Sequence, residues 1–434
     1  MNTVLRTIQN RLQETRENTL LMNALYLMVS TFILGASGFI FWVVVTKSYN
    51  AAAVGLATTL LSVSGLLSLL GLAGFDTTFV RFLPGSHRKN DYINSGLIVS
   101  MLIGTILAVA LGFVLPLLSP SLSIMSNPWV FLSFVFFTVV TSLNVLTNAV
   151  FLAYKQARYI LIINTLFSVF KVVLPLLVIK GGAVAIFALA GSAQLFGLAL
   201  SIMWMRRKFG YKMSPVLHMD TLRVVRKFSL SIYVSNVLSL LPPTLLPLII
   251  LHYSGPKNAA YYYMAFTIAN VLYTIVYATM QSVLAEGSHN AAALRSHVMA
   301  AAKLISVLLI PATLMIVLFG NNLLAIFGAE YAKGAGLLLR LLAMGAVPIA
   351  AYAALTTTFK VTKKLAPVVG MNAISALVTL GLSNWWIAPF GLEGVGWAWI
   401  VGDALACGIG VIFLLKSRRV VRQQSQIEIH EQAQ

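Results

Sequence analysis

The sequence predicts an all-α polytopic membrane protein, with twelve transmembrane helices in two pseudo-symmetric six-helix lobes. Three observations carry this prediction. Of the 434 residues, 59% are hydrophobic and only 9% charged, against about 25% charged in soluble domains. Apolar runs long enough to cross a bilayer, about 20 residues each, recur at roughly 22–45, 54–78, 93–117, 129–152, 160–180, 184–205, 229–252, 260–285, 298–320, 335–358, 367–388 and 395–415. The cations are one-sided: with both termini in the cytoplasm, cytoplasmic segments and flanks hold 24 of the 30 Lys and Arg residues, and the opposite loops hold four. Basic residues are retained on the cytoplasmic side of membrane proteins. An even number of crossings then returns the C-terminus to the side of the N-terminus.

Composition also excludes. The net charge of +19 belongs to short connections between membrane spans, so it does not point to nucleic acid. Cys407 is the only cysteine, which rules out disulfides within the chain and cysteine-based metal sites. The six histidines show no ligand spacing, and no cofactor motif is present. No GxxxxGK[ST] phosphate loop occurs, which argues against intrinsic ATP hydrolysis. The first apolar run is longer than a secretory h-region and lacks a small-residue cleavage site.

In chain order, residues 1–20 carry Arg6, Arg11 and Arg16, with Leu5, Ile8 and Leu12 on one helical face. An interfacial cytoplasmic helix and a plain basic tail are both open. The N-lobe follows over 21–205. Span one holds Gly35 and Gly38 near its middle, and span seven holds Pro242, Pro243 and Pro247 at a matching depth. Paired interruptions in corresponding spans point to the moving and binding elements of a transporter, so these five are candidate hinges. Span two leads to Asp76 and Arg81, which read either as a surface ion pair or as a gate latch. Span four carries Asn148 on a polar stripe.

Span five is the most informative. Lys171 lies near the middle of an apolar run, with Asn164 and Ser168 on its helical face. A lysine at the centre of a span costs roughly 2.5–3.5 kcal/mol on insertion scales, so something must offset it. A polar cavity with an anionic ligand would do so; pairing with Asp403 or another buried acid, or a shallower position, would too. A basic connection, 206–228, separates this lobe from the C-lobe at 229–415, and a cytoplasmic tail runs over 416–434. Span eight has a continuous polar face that includes Tyr263, Asn270, Tyr277 and Gln281. It reads as a cavity wall, with interhelical hydrogen bonding as the alternative. Asp403 in span twelve is either an ion-coupling site or a partner for neighbouring hydroxyls.

The halves are weakly similar to each other. Asn164 precedes Lys171 by seven residues and Asn372 precedes Thr379 by seven; Gly191-Ser192-Ala193 in span six matches Gly402-Asp403-Ala404 in span twelve. Two six-span repeats share an orientation and are related by an axis along the membrane normal.

Gly71-Leu72-Ala73-Gly74-Phe75-Asp76 followed by Arg81-Phe82-Leu83-Pro84 resembles the end of helix two in the polysaccharide-repeat flippases, members of the superfamily that includes the multidrug and toxin extrusion (MATE) antiporters and the lipid II flippases. Phe327 to Ala332 and Glu393 to Ala398 resemble outer loops of the same family. The resemblance implies a MATE-like fold and a flippase that turns lipid-linked oligosaccharides across a bacterial inner membrane, for cell-surface polysaccharides such as O-antigen or exopolysaccharide. It implies membrane lipids as surroundings, with a polysaccharide polymerase and other assembly proteins as candidate partners. Lys171, Asn164, Ser168, Asn148, Tyr263, Asn270, Tyr277 and Gln281 are the candidate substrate-binding residues; Asp403, Asp76 and Arg81 are the candidate coupling or gating residues. The main alternative is an ion-coupled multidrug antiporter on the same fold. A membrane enzyme fits less well, because the outer loops offer only Glu330 and Glu393 as acids.

Overall fold

The computed structural model describes residues 2–178, 181–214, 217, 230–289 and 293–432, with side chains over 21–416 within those ranges except at 230–232 and 288–289. The candidate amphipathic face of residues 1–20 and the basic residues Arg223, Arg226 and Lys227 of the connection lie outside the described side chains. Among the described residues there are twelve α-helices, two short 3-10 turns and no strand. The chain divides into two compact units, Met1–Leu230 and Ser231–Gln434.

The first unit contains α1 (Asn2–Ser48), α2 (Ala51–Gly71), α3 (Phe75–Phe82), α4 (Lys89–Leu118), α5 (Pro128–Ala153), α6 (Ala157–Leu177) and α7 (Gly182–Phe209). All but the short α3 contain an apolar stretch long enough to span a membrane. Asn50 starts α2 by accepting the Ala53 amide at 2.8 Å, and Asn127 with Pro128 at the first position starts α5 in the same manner. The α2–α5 contact is polar and direct: Ser64 meets Thr138 at 2.9 Å, Ser68 donates to the Thr138 carbonyl at 2.8 Å, and Ser142 donates to the Ser68 carbonyl at 3.0 Å. Small hydroxyl residues permit this close approach in lipid, where apolar burial provides no force between helices. An aromatic core that includes Phe75, Phe79, Tyr92, Phe151 and Tyr159 gathers where α3, the start of α4, the end of α5 and the start of α6 meet. Elsewhere large apolar side chains such as Phe32, Leu117 and Leu177 stay on the outside, as a lipid-facing surface requires.

The second unit contains α8 (Leu230–His289), α9 (Leu294–Ala325), α10 (Ala329–Met344), α11 (Ala346–Val361) and α12 (Leu365–Gln432). Ten apolar helical stretches are long enough to cross a membrane. Two of them, Tyr233–Gly287 and Leu365–Lys416, are double-length and broken at Gly255 and Gly391, which makes twelve crossings. Gly255 has φ 81 and ψ 173, and Gly391 has φ 59 and ψ −141. Side chains are rarely tolerated at such angles, so a single glycine reverses the chain where the sequence reading placed loops of several residues. The tenth span also differs from the reading: it starts at Ala329 and is split by Gly345 into α10 and α11.

The interruptions expected at the candidate hinges are absent from this structure. Helix α1 runs unbroken through Gly35 and Gly38, where an added Cβ would meet no atom within 4 Å. Helix α8 keeps helical angles through Pro242, Pro243 and Pro247, its one non-helical residue being Gly255. Proline is tolerated inside a membrane helix when neighbours and hydroxyl side chains take up the freed backbone groups. The carbonyls freed here are those of Leu238, Ser239 and Pro243, four residues before each proline; the Thr244 hydroxyl donates to the Leu240 and Leu241 carbonyls at 2.5 and 3.1 Å.

Candidate functional site

In the first unit, α6 lies along α1, and the face predicted from periodicity is the one turned toward it. The Asn164 amide donates to Ser30 Oγ at 2.8 Å, and Ser37 Oγ donates to Ser168 Oγ at 2.9 Å. One helical turn further on, Lys171 places its ammonium 4.9 Å from the Phe41 ring centroid and 5.8 Å from that of Phe167. Cation–π contact offsets part of the desolvation of a lysine without neutralising it. Among the described residues of this unit no carboxylate forms an ion pair with Lys171. Because α6 ends at Leu177, Lys171 sits six residues from the C-terminal end, about 9 Å of helical rise, rather than at mid-span. Asn148 on α5 is half-buried, and its side-chain oxygen has no partner among the described residues. The nearby Asn144 donates to Gln194 Oε1 at 2.6 Å.

Asp76 and Arg81 occupy the first and last turns of α3. The Asp76 carboxylate is in no ion pair among the described residues. It accepts the backbone amide of Thr77, and burial pushes its carboxyl above the usual range. The Arg81 guanidinium lies 5.4 Å from the centroid of the Phe82 ring. A surface ion pair between the two is therefore corrected to a carboxylate on the helix N-terminus, where the backbone already supplies positive partial charge.

The second unit encloses a cavity of about 330 Å³. The span-eight stripe reaches it: Asn270, Tyr277 and Gln281 line the cavity, as do Pro242 and Pro243, whereas Tyr263 does not. Asp403 is in its wall, 6% exposed. Ser375 Oγ donates to Asp403 Oδ1 at 2.6 Å, and the Trp399 side chain also hydrogen-bonds the carboxylate. A second polar chain crosses three helices: the Tyr352 hydroxyl donates to Asn372 Oδ1, and Asn372 Nδ2 donates to the Ser235 carbonyl and hydroxyl at 2.7 and 2.9 Å. Trp399 is flanked by Phe266 and Tyr273, with ring centroids 5.3 and 6.5 Å away. Periodicity did not single out Ser235, Tyr352, Ser375 or Trp399. The only hint was the sequence repeat that pairs Asn164 with Asn372. Lys360, at the exposed end of α11, is the other charged residue lining the cavity.

The same tie recurs in both units. Asn164 of span five holds Ser30 of span one, 134 residues away; Asn372 of span eleven holds Ser235 of span seven, 137 away. On this shared frame Thr379 stands where Lys171 stands, seven residues beyond the asparagine. Thr379 lines the second unit's cavity and lies against Gly402, next to Asp403. No cluster of three or more metal-ligating side chains occurs among the described residues.

Two six-crossing helical units, each with a polar or charged group inside the apolar layer, define a multi-pass membrane transporter fold of the MATE type. Residues 49–335 match the polysaccharide biosynthesis protein family, and the chain belongs to it. Among solved structures it resembles the lipid II flippase MurJ in an inward closed conformation, with a TM-score of 0.76 at 13% identity, covering 90% of this chain and 87% of that one. It resembles a multidrug resistance MATE transporter of the MOP superfamily in an inward-facing conformation, with a TM-score of 0.71 at 17% identity, covering 93% and 99%. A third resemblance, with a TM-score of 0.61 at 15% identity and coverage of 93% and 95%, is to a MOP superfamily transporter from Pyrococcus furiosus described by a binding pocket of reversed polarity. No curated protein matches the chain in sequence.

Proposed function

We propose that this protein is a flippase that carries polyprenyl-pyrophosphate-linked oligosaccharide repeat units across the bacterial inner membrane for cell-surface polysaccharide biosynthesis, by alternating access. It moves its substrate and does no chemistry on it. Membership of a polysaccharide biosynthesis family and a fold shared with a lipid II flippase support a lipid-linked cargo. The observation that carries the reading is Lys171, an intramembrane cation with aromatic neighbours and no carboxylate partner among the described residues of its unit. A pyrophosphate entering that environment supplies the missing anion. At 4 Å and an effective dielectric of 20, one such charge pair is worth about 4 kcal/mol. Asn164, Ser168 and Asn148 support the lysine from its own unit, while Tyr263, Asn270, Tyr277 and Gln281 present polar groups for the rest of the cargo. Asp403, Asp76 and Arg81 are the groups available for coupling or gating. The charge partition supports cytoplasmic N and C termini.

The test is transport of a fluorescent undecaprenyl-pyrophosphate oligosaccharide in proteoliposomes. Lys171→Ala abolishes transport while the purified protein keeps its thermal unfolding profile; an unchanged transport rate in that variant sinks the reading. The second reading, an ion-coupled drug antiporter, draws on Asp403, a carboxylate in a cavity wall of a MATE-type fold. Drug resistance conferred on a pump-deficient host, and lost in Asp403→Asn, would favour it instead.

A further inference from the structure

We infer that the cavity of the second unit is a sugar subsite, built for one uncharged sugar residue of the cargo and selective against acidic sugars. The inference deepens the flippase reading and rests on it for the identity of the cargo.

Four features of the cavity converge on this ligand. Its volume, about 330 Å³, is at the small end of the ~300–1,000 Å³ typical of small-molecule sites, so it takes a terminal ring and not a whole oligosaccharide. Asn270 and Gln281 line it with exposed side-chain amides that make no hydrogen bond among the described residues. An amide offers both donors and acceptors, the combination that a ring of hydroxyls requires, since each hydroxyl both gives and accepts a proton. Tyr277 presents a half-exposed aromatic face with an uncommitted phenol, a rigid amphipathic surface for the apolar face of a pyranose. Asp403 is a carboxylate already held in place by Ser375 and Trp399. Two donors leave acceptor positions on its oxygens unused, and a carboxylate forms stronger bonds with hydroxyls than a neutral acceptor does.

The sign of the charge sets the selectivity. The carboxylate is in the wall and the nearest cationic lining residue, Lys360, is at an exposed helix end. A uronic acid ring would bring a second carboxylate toward the buried Asp403, and like charges repel. Calcium favours six to eight oxygen ligands, several of them carboxylates, and the single acid here suits a hydroxylated neutral ligand better.

The experiment uses the full-length protein in lipid nanodiscs and saturation-transfer NMR with four probes: methyl β-glucoside, methyl β-galactoside, methyl N-acetyl-β-glucosaminide and methyl β-glucuronide. At least one neutral glycoside receives saturation, and the glucuronide binds about tenfold or more weakly than it. Asp403→Asn weakens the neutral glycoside about tenfold and narrows its advantage over the glucuronide. Tyr277→Ala, at an exposed position with no hydrogen bond to lose, weakens it as well and serves if Asp403→Asn does not fold. Absence of transfer to every neutral glycoside overturns the inference, and so do equal binding of the glucuronide or signals untouched by either substitution. These probes carry neither lipid nor phosphate. Binding of undecaprenyl pyrophosphate, which carries no sugar, tests the Lys171 reading separately, so each idea fails on its own probe.

Discussion

The two units solve one problem with opposite charges. Each joins its first and fifth crossings with an asparagine–serine hydrogen bond, Asn164 to Ser30 and Asn372 to Ser235. Seven residues beyond the asparagine, the first unit carries Lys171 between aromatic rings, while the second carries Thr379 close to the Asp403 carboxylate. The duplicated frame thus carries a different charged group in each half. The frame recurs in both halves because it satisfies polar groups inside lipid; on the flippase reading proposed above, the charge differs because it answers to the ligand.

The largest expected effect tests that asymmetry directly. Replacing Lys171 by Thr, the residue at the matching position of the second unit, lowers the transport rate at least ~100-fold, in line with the loss of a charge pair worth about 4 kcal/mol. Stability of the purified protein stays within about 1 kcal/mol of the parent, because the lysine has no ion-pair partner among the described residues of its unit to leave stranded. Reconstituted transport together with denaturant unfolding checks both halves of the statement. A large loss of stability would mean that the cation holds the unit together and does not serve the ligand.

The shared tie is expected to be unequal in strength. Asn372 makes three hydrogen bonds in a fully buried chain, whereas Asn164 makes one to a serine. Intramembrane hydrogen bonds average about 0.6 kcal/mol and reach about 1.7. Asn372→Ala should therefore destabilise by about 1.5 kcal/mol and Asn164→Ala by about 0.6 kcal/mol. Equal losses in a thermal unfolding series would show that the added bonds of Asn372 contribute nothing.

The turns differ too. Tyr49 and Asn50 connect the first two crossings with ordinary backbone angles and a side-chain cap, whereas Gly255 performs the same reversal alone at φ 81. Gly255→Ala should cost about 1 kcal/mol and Asn50→Gly only a few tenths, again read from unfolding midpoints.

The smallest effect concerns pH. Burial raises the Asp76 carboxyl above its ordinary value of 3.8, so the folded state holds this proton more tightly than the unfolded state. Asp76 therefore stabilises least once ionised: its contribution is present below the ordinary carboxylate range and is lost as pH rises through the raised value. Asp76→Asn should leave stability at acid pH unchanged and raise it slightly at neutral pH. A variant less stable at neutral pH would show that the helix N-terminus outweighs burial.

Much of this architecture is legible in the sequence. Hydropathy locates all twelve crossings, because a bilayer accepts little else. The span-eight periodicity correctly brings Asn270, Tyr277 and Gln281 to one wall, since residues on one helical face stay together whatever surrounds them. Periodicity cannot tell what that face meets. Asn164 and Ser168 share the lysine's face as expected, yet their hydrogen bonds go to Ser30 and Ser37 on α1. Prolines 242, 243 and 247 mark positions where a helix can bend, and nothing in their spacing reveals that the surrounding turns keep it intact. Asp403 was visible as an intramembrane acid, but its partners Ser375 and Trp399 come from packing that no local pattern records.

The single-glycine reversals at Gly255 and Gly391 bear on biogenesis. With one non-helical residue between crossings seven and eight, and another between eleven and twelve, little chain beyond the helices themselves has to be drawn through hydrocarbon during synthesis. Each pair is suited to leave the translocon as one preformed hairpin. A substitution at either glycine would then be felt in the insertion of the ribosome-bound chain as well as in the stability of the finished transporter.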